Sequence, residues 1–189
     1  MLEIRFHGRG GQGTVVAAKI IADAVLRSGR QCLAIPEFGV ERRGAPVMAY
    51  ARISDTPIRL RSRIYEPDVV VVLDPAFAES PVITAGLKPD RLIIVNSEVA
   101  PEILAARWPG RRAVAVPAKR IALAHGLGTP SSPLVNTAMC GALCAILALA
   151  DWPSLEQSIR DAVPAAVDRN LAAAKEAFDY CRGKNYATR

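Results

Sequence analysis

Apolar and polar residues alternate from Leu2 to His7 and then meet a run of glycines, the pattern of a strand entering a turn. From Thr14 to Ser28 (TVVAAKIIADAVLRS) the apolar positions recur at helical spacing, and Gly29 follows where a helix stop is expected. Gln31–Pro36 reads as a second strand, and Phe38–Gly44 (FGVERRG) as a polar, glycine-bounded loop. Ala45–Ile53 predicts a third strand. A turn at Asp55–Pro57 makes Ile58–Ile64 its expected antiparallel partner. Asp68–Leu73 (DVVVVL) is uniformly apolar, as strands are when a parallel sheet is covered on both faces. Arg91–Asn96 and Arg112–Val116 follow the same pattern, with short helices expected near Ala76–Ala85 and Pro101–Ala106.

Beyond Ala118 the periodicity is helical. Lys119–His125 is one predicted helix and Leu134–Ala150 a longer, buried one; Ser154–Val163 and Asp168–Arg182 are separated at Pro164. The last alternates Ala with charge and is expected on the surface. Strands alternating with helices predict an α/β fold, a three-layer α/β/α domain. Its sheet is mostly parallel with an antiparallel hairpin, and its C-terminal part is helical. One domain is expected over residues 1–183, with a short tail at 184–189.

Hydrophobic residues make up 51% of the 189 and aromatics only 5%, so the apolar mass is largely aliphatic. That composition excludes a disordered chain and suits a subunit that hides surface against partners. Met1 leads directly into strand-like sequence without the apolar core of a signal peptide. The longest apolar run, Ala138–Ala150, is too short to span a bilayer. A cytoplasmic chain without membrane contact is expected. Cys32, Cys140, Cys144 and Cys181 form no CxxC pair, and Cys140 and Cys144 stand one helical turn apart among apolar residues, the setting of buried thiols. No metal site and no iron–sulfur cluster is expected on this chain.

The sharpest local signal is GRGGQG. Gly8, Gly10 and Gly13 satisfy GxGxxG between a strand and a helix, where glycine admits a phosphate close to the backbone and helix amides face its charge. Three readings stay open: contact with a phosphate or cofactor, a tight turn under a packed helix, and a dinucleotide-binding domain. The last needs an acidic residue after the second strand, for which Glu37 is the candidate by position. Net charge is +6, and the arginines cluster at Arg42, Arg43, Arg52, Arg59, Arg61 and Arg63. If Ile58–Ile64 is a strand, Arg59, Arg61 and Arg63 share one face and must meet solvent, acidic partners or phosphates. Neither an aromatic stacking platform nor a helix-turn-helix accompanies them, so nucleic acid is not expected. Ser131 or Ser132 could cap the long helix, with Pro133 in its first turn. Glu66, Asp68 and Asp74 read as strand-boundary residues. His7 and His125 are isolated, and no catalytic set emerges.

Taken in order, IRFHGRGGQGTVVAAKIIADA, FGVERRGAPV (Phe38–Val47), ARIS (Ala51–Ser54), DVVVVLDP (Asp68–Pro75) and SSPLVNTAMCGAL resemble one family over roughly residues 1 to 180. It is the gamma subunit, or fused gamma domain, of the pyruvate/2-oxoacid:ferredoxin oxidoreductases. The resemblance implies an accessory, non-catalytic subunit of a CoA-acylating 2-oxoacid oxidoreductase. Thiamine diphosphate, 4Fe-4S clusters and coenzyme A belong to the holoenzyme, and no cofactor is expected on this chain alone. Thiamine-binding alpha/beta-type subunits and a ferredoxin-like delta-type subunit are the implied partners, and ferredoxin or NAD is the implied electron acceptor. Pyruvate is the implied substrate, or a branched-chain, indolyl or phenylglyoxylate relative. By motif, the glycine-loop positions are Gly8, Gly10, Gly11, Gln12 and Gly13, and the arginine-loop positions are Glu41, Arg42, Arg43 and Gly44. Both loops are expected to face the shared cofactor region. A stand-alone dinucleotide-binding redox or sensor module is the alternative. Arg42→Ala and Arg43→Ala are expected to lower holoenzyme activity more than they lower the subunit's melting temperature; simple unfolding of both variants would make the loop structural.

Overall fold

The computed structural model describes residues 1–37, 44–182 and 184. Strands β1 (Leu2–Arg9), β2 (Gln31–Pro36), β3 (Pro46–Ser54), β4 (Val69–Val72), β5 (Leu92–Asn96) and β6 (Arg112–Val116) form one sheet in the order β2-β3-β1-β4-β5-β6. Strands β1, β4, β5 and β6 are mutually parallel, whereas β3 runs antiparallel to both of its neighbours, β1 and β2. The helices are α1 (Thr14–Arg27), α2 (Pro101–Arg107), α3 (Ala118–Ala124), α4 (Asn136–Leu147), α5 (Trp152–Ala162) and α6 (Val167–Arg182). Two 3-10 turns, Pro75–Phe77 and Pro81–Ile83, connect β4 to β5, and β7 (Gly128–Thr129) pairs with β8 (Ser132–Pro133) just before α4.

The two faces of the sheet are unequal. On one, Ile4 and Phe6 of β1 pack with Ala17, Ile20, Ile21 and Val25 of α1, and this core continues through α3, α4, α5 and α6. On the other, Val70, Val72, Ile93 and Val95 meet Ile83, Leu87, Leu104 and Trp108 in a smaller cluster under α2 and the 3-10 turns. No helix of the described residues is long and apolar enough to cross a membrane.

Around β1 and β3 the second face turns polar. Glu3, Arg5 and His7 alternate with the apolar set along β1, and β3 sets Arg52 opposite Glu3 and Tyr50 opposite Arg5. Buried here, the guanidinium groups need partners. Arg52 is 2% exposed; it pairs with Glu3 at 2.6 Å and donates to the carbonyls of Leu60, Ser62 and Arg63. Arg5 donates to the carbonyls of Val82, Ile83 and Ala85 at 2.8–3.1 Å. Irregular chain, held by these two side chains, covers the sheet where a helix would otherwise lie.

Three sequence expectations change here. Ile58–Ile64 is not a strand, because both hydrogen-bonding edges of β3 are taken by β1 and β2. The antiparallel hairpin is β2–β3 instead, and Arg59, Arg61 and Arg63 do not share a strand face. Pro133 lies in β8, and no side chain caps α4, so neither Ser131 nor Ser132 does so. Helix α6 is not a surface element along its whole width: Ala173, Ala174, Ala177 and Phe178 are buried in the main core.

Helices α4 and α6 approach closely because their contact residues are small. A Cβ built at Gly141 would lie 2.0 Å from the carbonyl oxygen of Ala174, a backbone atom that only a helix shift could move. Gly141→Ala is therefore expected to destabilise the chain by on the order of 2 kcal/mol despite its gain in helix propensity. An unchanged urea midpoint would refute this packing.

Candidate functional site

Strands β1 and β4 are parallel neighbours whose connections leave on opposite sides of the sheet. From β1 the chain enters α1 on the main-core side, and from β4 it enters the 3-10 turns on the other. Such a switch point leaves a crevice beyond the carboxyl ends of the strands, the usual place for a ligand in an open α/β sheet. A cavity of about 510 Å³ lies there, bounded by the glycine turn, Gly44, Asp74 and the Ser131–Ser132 turn.

The turn has little freedom. Gly11 and Gly13 adopt φ of 93° and 76°, a region costly for other residues. At Gly8 the constraint is packing, since a Cβ would come within 2.2 Å of Thr14 Oγ1. Gly13 is the left-handed N-cap of α1 and no side chain caps that helix. Its first-turn amides therefore lack intrahelical partners and carry the positive end of the helix dipole. Thr14 Oγ1, at the first residue of the helix, is buried without a hydrogen-bond partner.

Charge at the mouth is organised by Asp74. Its Oδ2 accepts from Arg9 Nε at 2.5 Å and from Gln12 Nε2 at 3.0 Å, while its Oδ1 accepts from the amide of Ala76 at 2.9 Å. Gln12 Oε1 in turn accepts from the amide of Arg9 at 2.9 Å. The Arg9 guanidinium lies 5.2 Å from the centre of the Phe77 ring. The Arg9 guanidinium is thus held by Asp74 and the Phe77 ring, yet 41% of the side chain stays exposed at the crevice. The arrangement offers preorganised donors suited to an anionic oxygen. Among the described residues no three of His, Cys, Asp and Glu gather where they could hold a metal. Burial pushes the Cys144 thiol up to about 12 and that of Cys140 well above its usual value, so neither is a nucleophile at neutral pH.

Of the residues singled out in the sequence, Gly8, Gly10, Gly11, Gln12, Gly13 and Gly44 come together. Gly10 donates to the carbonyl of Ala45 at 2.9 Å and accepts from the amide of Gly44 at 3.3 Å, which ties the end of the arginine loop to the glycine turn. Glu41, Arg42 and Arg43 lie outside the described residues. Glu37 pairs with Arg63 at 2.6 Å and accepts from the Tyr50 hydroxyl. It stands at the end of β2, which β3 separates from β1, so it is not placed as the ribose-binding acid of a dinucleotide domain. Arg9 and Asp74 were not singled out. The sequence holds one cue for Asp74, an acid before proline at the end of an apolar strand; pairing of β4 with β1 turns that boundary residue into the partner of Arg9.

The family profile described as pyruvate ferredoxin/flavodoxin oxidoreductase matches residues 3–180. The chain is 48% identical over 183 residues to a protein of Pyrococcus abyssi named pyruvate/ketoisovalerate oxidoreductases common subunit gamma; the match covers 95% of this chain and 96% of the relative. It is 43% identical to pyruvate synthase subunit PorC of Methanothermobacter marburgensis, covering 95% and 97%. The crystal structure of pyruvate oxidoreductase subunit PORC from Thermotoga maritima superposes with a TM-score of 0.79 at 32% identity, covering 94% of this chain and 95% of that one.

Beside the crevice, His7 is 3% exposed and its Nε2 accepts from Arg5 Nε at 2.9 Å. Burial, reinforced by the Arg5 charge, pushes its pKa down from 6.5 to about 3. Between those values the unfolded chain binds a proton that the folded chain refuses. Stability is therefore full above pH 6.5 and falls as pH drops toward 3, by at most about 5 kcal/mol. Urea unfolding at pH 7 and pH 4.5 is expected to show the loss, and His7→Gln to flatten it; equal acid sensitivity in that variant would place the cause elsewhere.

Proposed function

The chain belongs to the pyruvate ferredoxin/flavodoxin oxidoreductase family and is a gamma-type subunit of a 2-oxoacid:ferredoxin oxidoreductase; on that premise we propose that its glycine-loop crevice presents backbone amides and Arg9 to a phosphate of a cofactor shared with neighbouring subunits. The observation that carries this is a donor set held rigid by Asp74 at the switch point of the sheet, with no nucleophile or acid–base pair beside it among the described residues. A site of this kind binds and orients; the reacting groups come from elsewhere in the assembly.

The uncapped first turn of α1 and the exposed edge of Arg9 fit phosphate oxygens. The described residues do not fit an iron–sulfur cluster, which requires clustered thiolates rather than buried, protonated thiols. In this reading thiamine diphosphate and the 4Fe-4S clusters sit on partner subunits. The assembly decarboxylates a 2-oxoacid oxidatively, forms an acyl-coenzyme A and passes electrons to ferredoxin or NAD. Thiamine diphosphate, when bound, supplies the carbanion for that chemistry, and coenzyme A the accepting thiol. This chain's own contribution is to hold one phosphate end in register through the amides of Gly11 and Gly13 and through Arg9. The stand-alone dinucleotide-binding reading loses its acidic residue to the strand inserted between β1 and β2.

Arg9→Ala in the assembled holoenzyme is the test. Its expected effect is a rise of about tenfold in either the KM for coenzyme A or the concentration of thiamine diphosphate needed for activity, as for loss of one charge-assisted hydrogen bond. Subunit composition should stay unchanged. Which constant moves identifies the cofactor; if both hold in an intact complex, the crevice is not a phosphate site.

A further inference from the structure

A second concavity lies on the polar half of the sheet. It is a pocket of about 380 Å³ between β1, β3 and the irregular segments near Ile64–Tyr65 and Val82–Gly86. Its floor holds Arg5, only 5% exposed, and Tyr50. The hydrogen bonds of Arg5 go to three carbonyls and a neutral imidazole, none of them an anion. At the rim, Arg63 shares Glu37 with Tyr50. Next to it Arg59 and Arg61 are exposed and have no acidic partner among the described residues. The run Ile58–Tyr65 thus carries three arginines and no carboxylate.

Apolar surface accompanies the charge. Leu60, Tyr65 and Val82 are 54%, 70% and 39% exposed, three of the seven large hydrophobic side chains exposed among the described residues. Arginine and tyrosine around an apolar depression are the residues that dominate protein interfaces. The surface is also stiff. Arg52 holds the carbonyls of Leu60, Ser62 and Arg63, Arg5 holds those of Val82, Ile83 and Ala85, and a Cβ at Gly86 would stand 1.9 Å from the carbonyl oxygen of Tyr65. Two irregular segments locked edge to edge in this way lose little freedom when a partner docks.

We infer that this face receives an acidic segment of a neighbouring subunit of the oxidoreductase. Its carboxylates pair with Arg59 and Arg61, and one of its apolar side chains enters the pocket over Arg5 beside Tyr65. The inference rests on the subunit assignment above and adds which face makes the contact and with what chemistry. Nucleic acid fits less well, because Glu37 and Glu66 interrupt the positive charge and, among the described residues, Tyr65 is the one largely exposed aromatic.

The full-length chain, titrated onto the complex stripped of it at low and high salt, tests the assignment. Arg59→Glu with Arg61→Glu is expected to weaken association at least about tenfold and to flatten its salt dependence. Arg59→Ala with Arg61→Ala, and separately Tyr65→Ala, should weaken it less. Lys19→Glu on the exposed side of α1 should leave it unchanged, and all variants should melt with the wild type. Wild-type affinity and salt response in the charge-reversed variant would overturn the assignment. So would tight, arginine-dependent binding of single-stranded RNA or duplex DNA by the chain, which would give the charge to nucleic acid. Failure of the wild-type chain itself to associate would refute the subunit assignment and this docking face with it, an outcome distinct from failure of the variants alone.

Discussion

Strand β1 has two chemically different sides, and the two-residue period of a strand forces that difference on everything packed against it. Ile4 and Phe6 project into the aliphatic core under α1, whereas Glu3, Arg5, His7 and Arg9 project to the opposite side. A helix with an apolar stripe cannot cover buried arginines without leaving them unpaired. Polypeptide whose carbonyls are free can. The chain accordingly runs irregularly over this half of the sheet, its carbonyls turned inward to Arg5 and Arg52. At the carboxyl end of the same strand, Arg9 emerges from the polar side and the glycine turn from the backbone, which places both at one crevice.

The insertion of β3 between β1 and β2 separates this molecule from an ordinary dinucleotide-binding domain built on the same glycine spacing. It keeps the phosphate-cradling part of the motif, the strand, the turn and the uncapped helix, and removes the neighbouring strand end that would read a ribose. What remains is a geometry suited to charge at close range. Such a site suits a subunit that steadies one end of a cofactor whose reactive end is served by other chains.

Much of the architecture was legible in the sequence because its signals are local. The valine run of β4, the glycine turn and the helical spacing of α1 each name their own conformation. The failures came where a long-range partner decided the outcome. Ile58–Ile64 alternates like a strand, but no free edge of β3 remained for it, and Arg52 took its carbonyls. The stripe of α6 is built from alanines, which carry little hydrophobic signal, yet Gly141 brings α4 close enough to bury it. At the site, the glycines were visible as a motif. Asp74 was not, because its role depends on β4 lying beside β1 and on its carboxylate reaching both Arg9 and Gln12. Glu41, Arg42 and Arg43 remain a reading of sequence, outside the described residues.

As a gamma-type subunit, the chain is expected to work only within a larger assembly, whose thiamine and clusters are proposed to lie on other chains. The most direct measurement is the native mass, subunit composition and absorbance spectrum of the particle that carries it, purified anaerobically from its source. A brown, multi-subunit particle containing thiamine diphosphate is expected. A colourless particle of 20.2 kDa or a simple multiple of it would mean that the chain is a stand-alone binding protein instead.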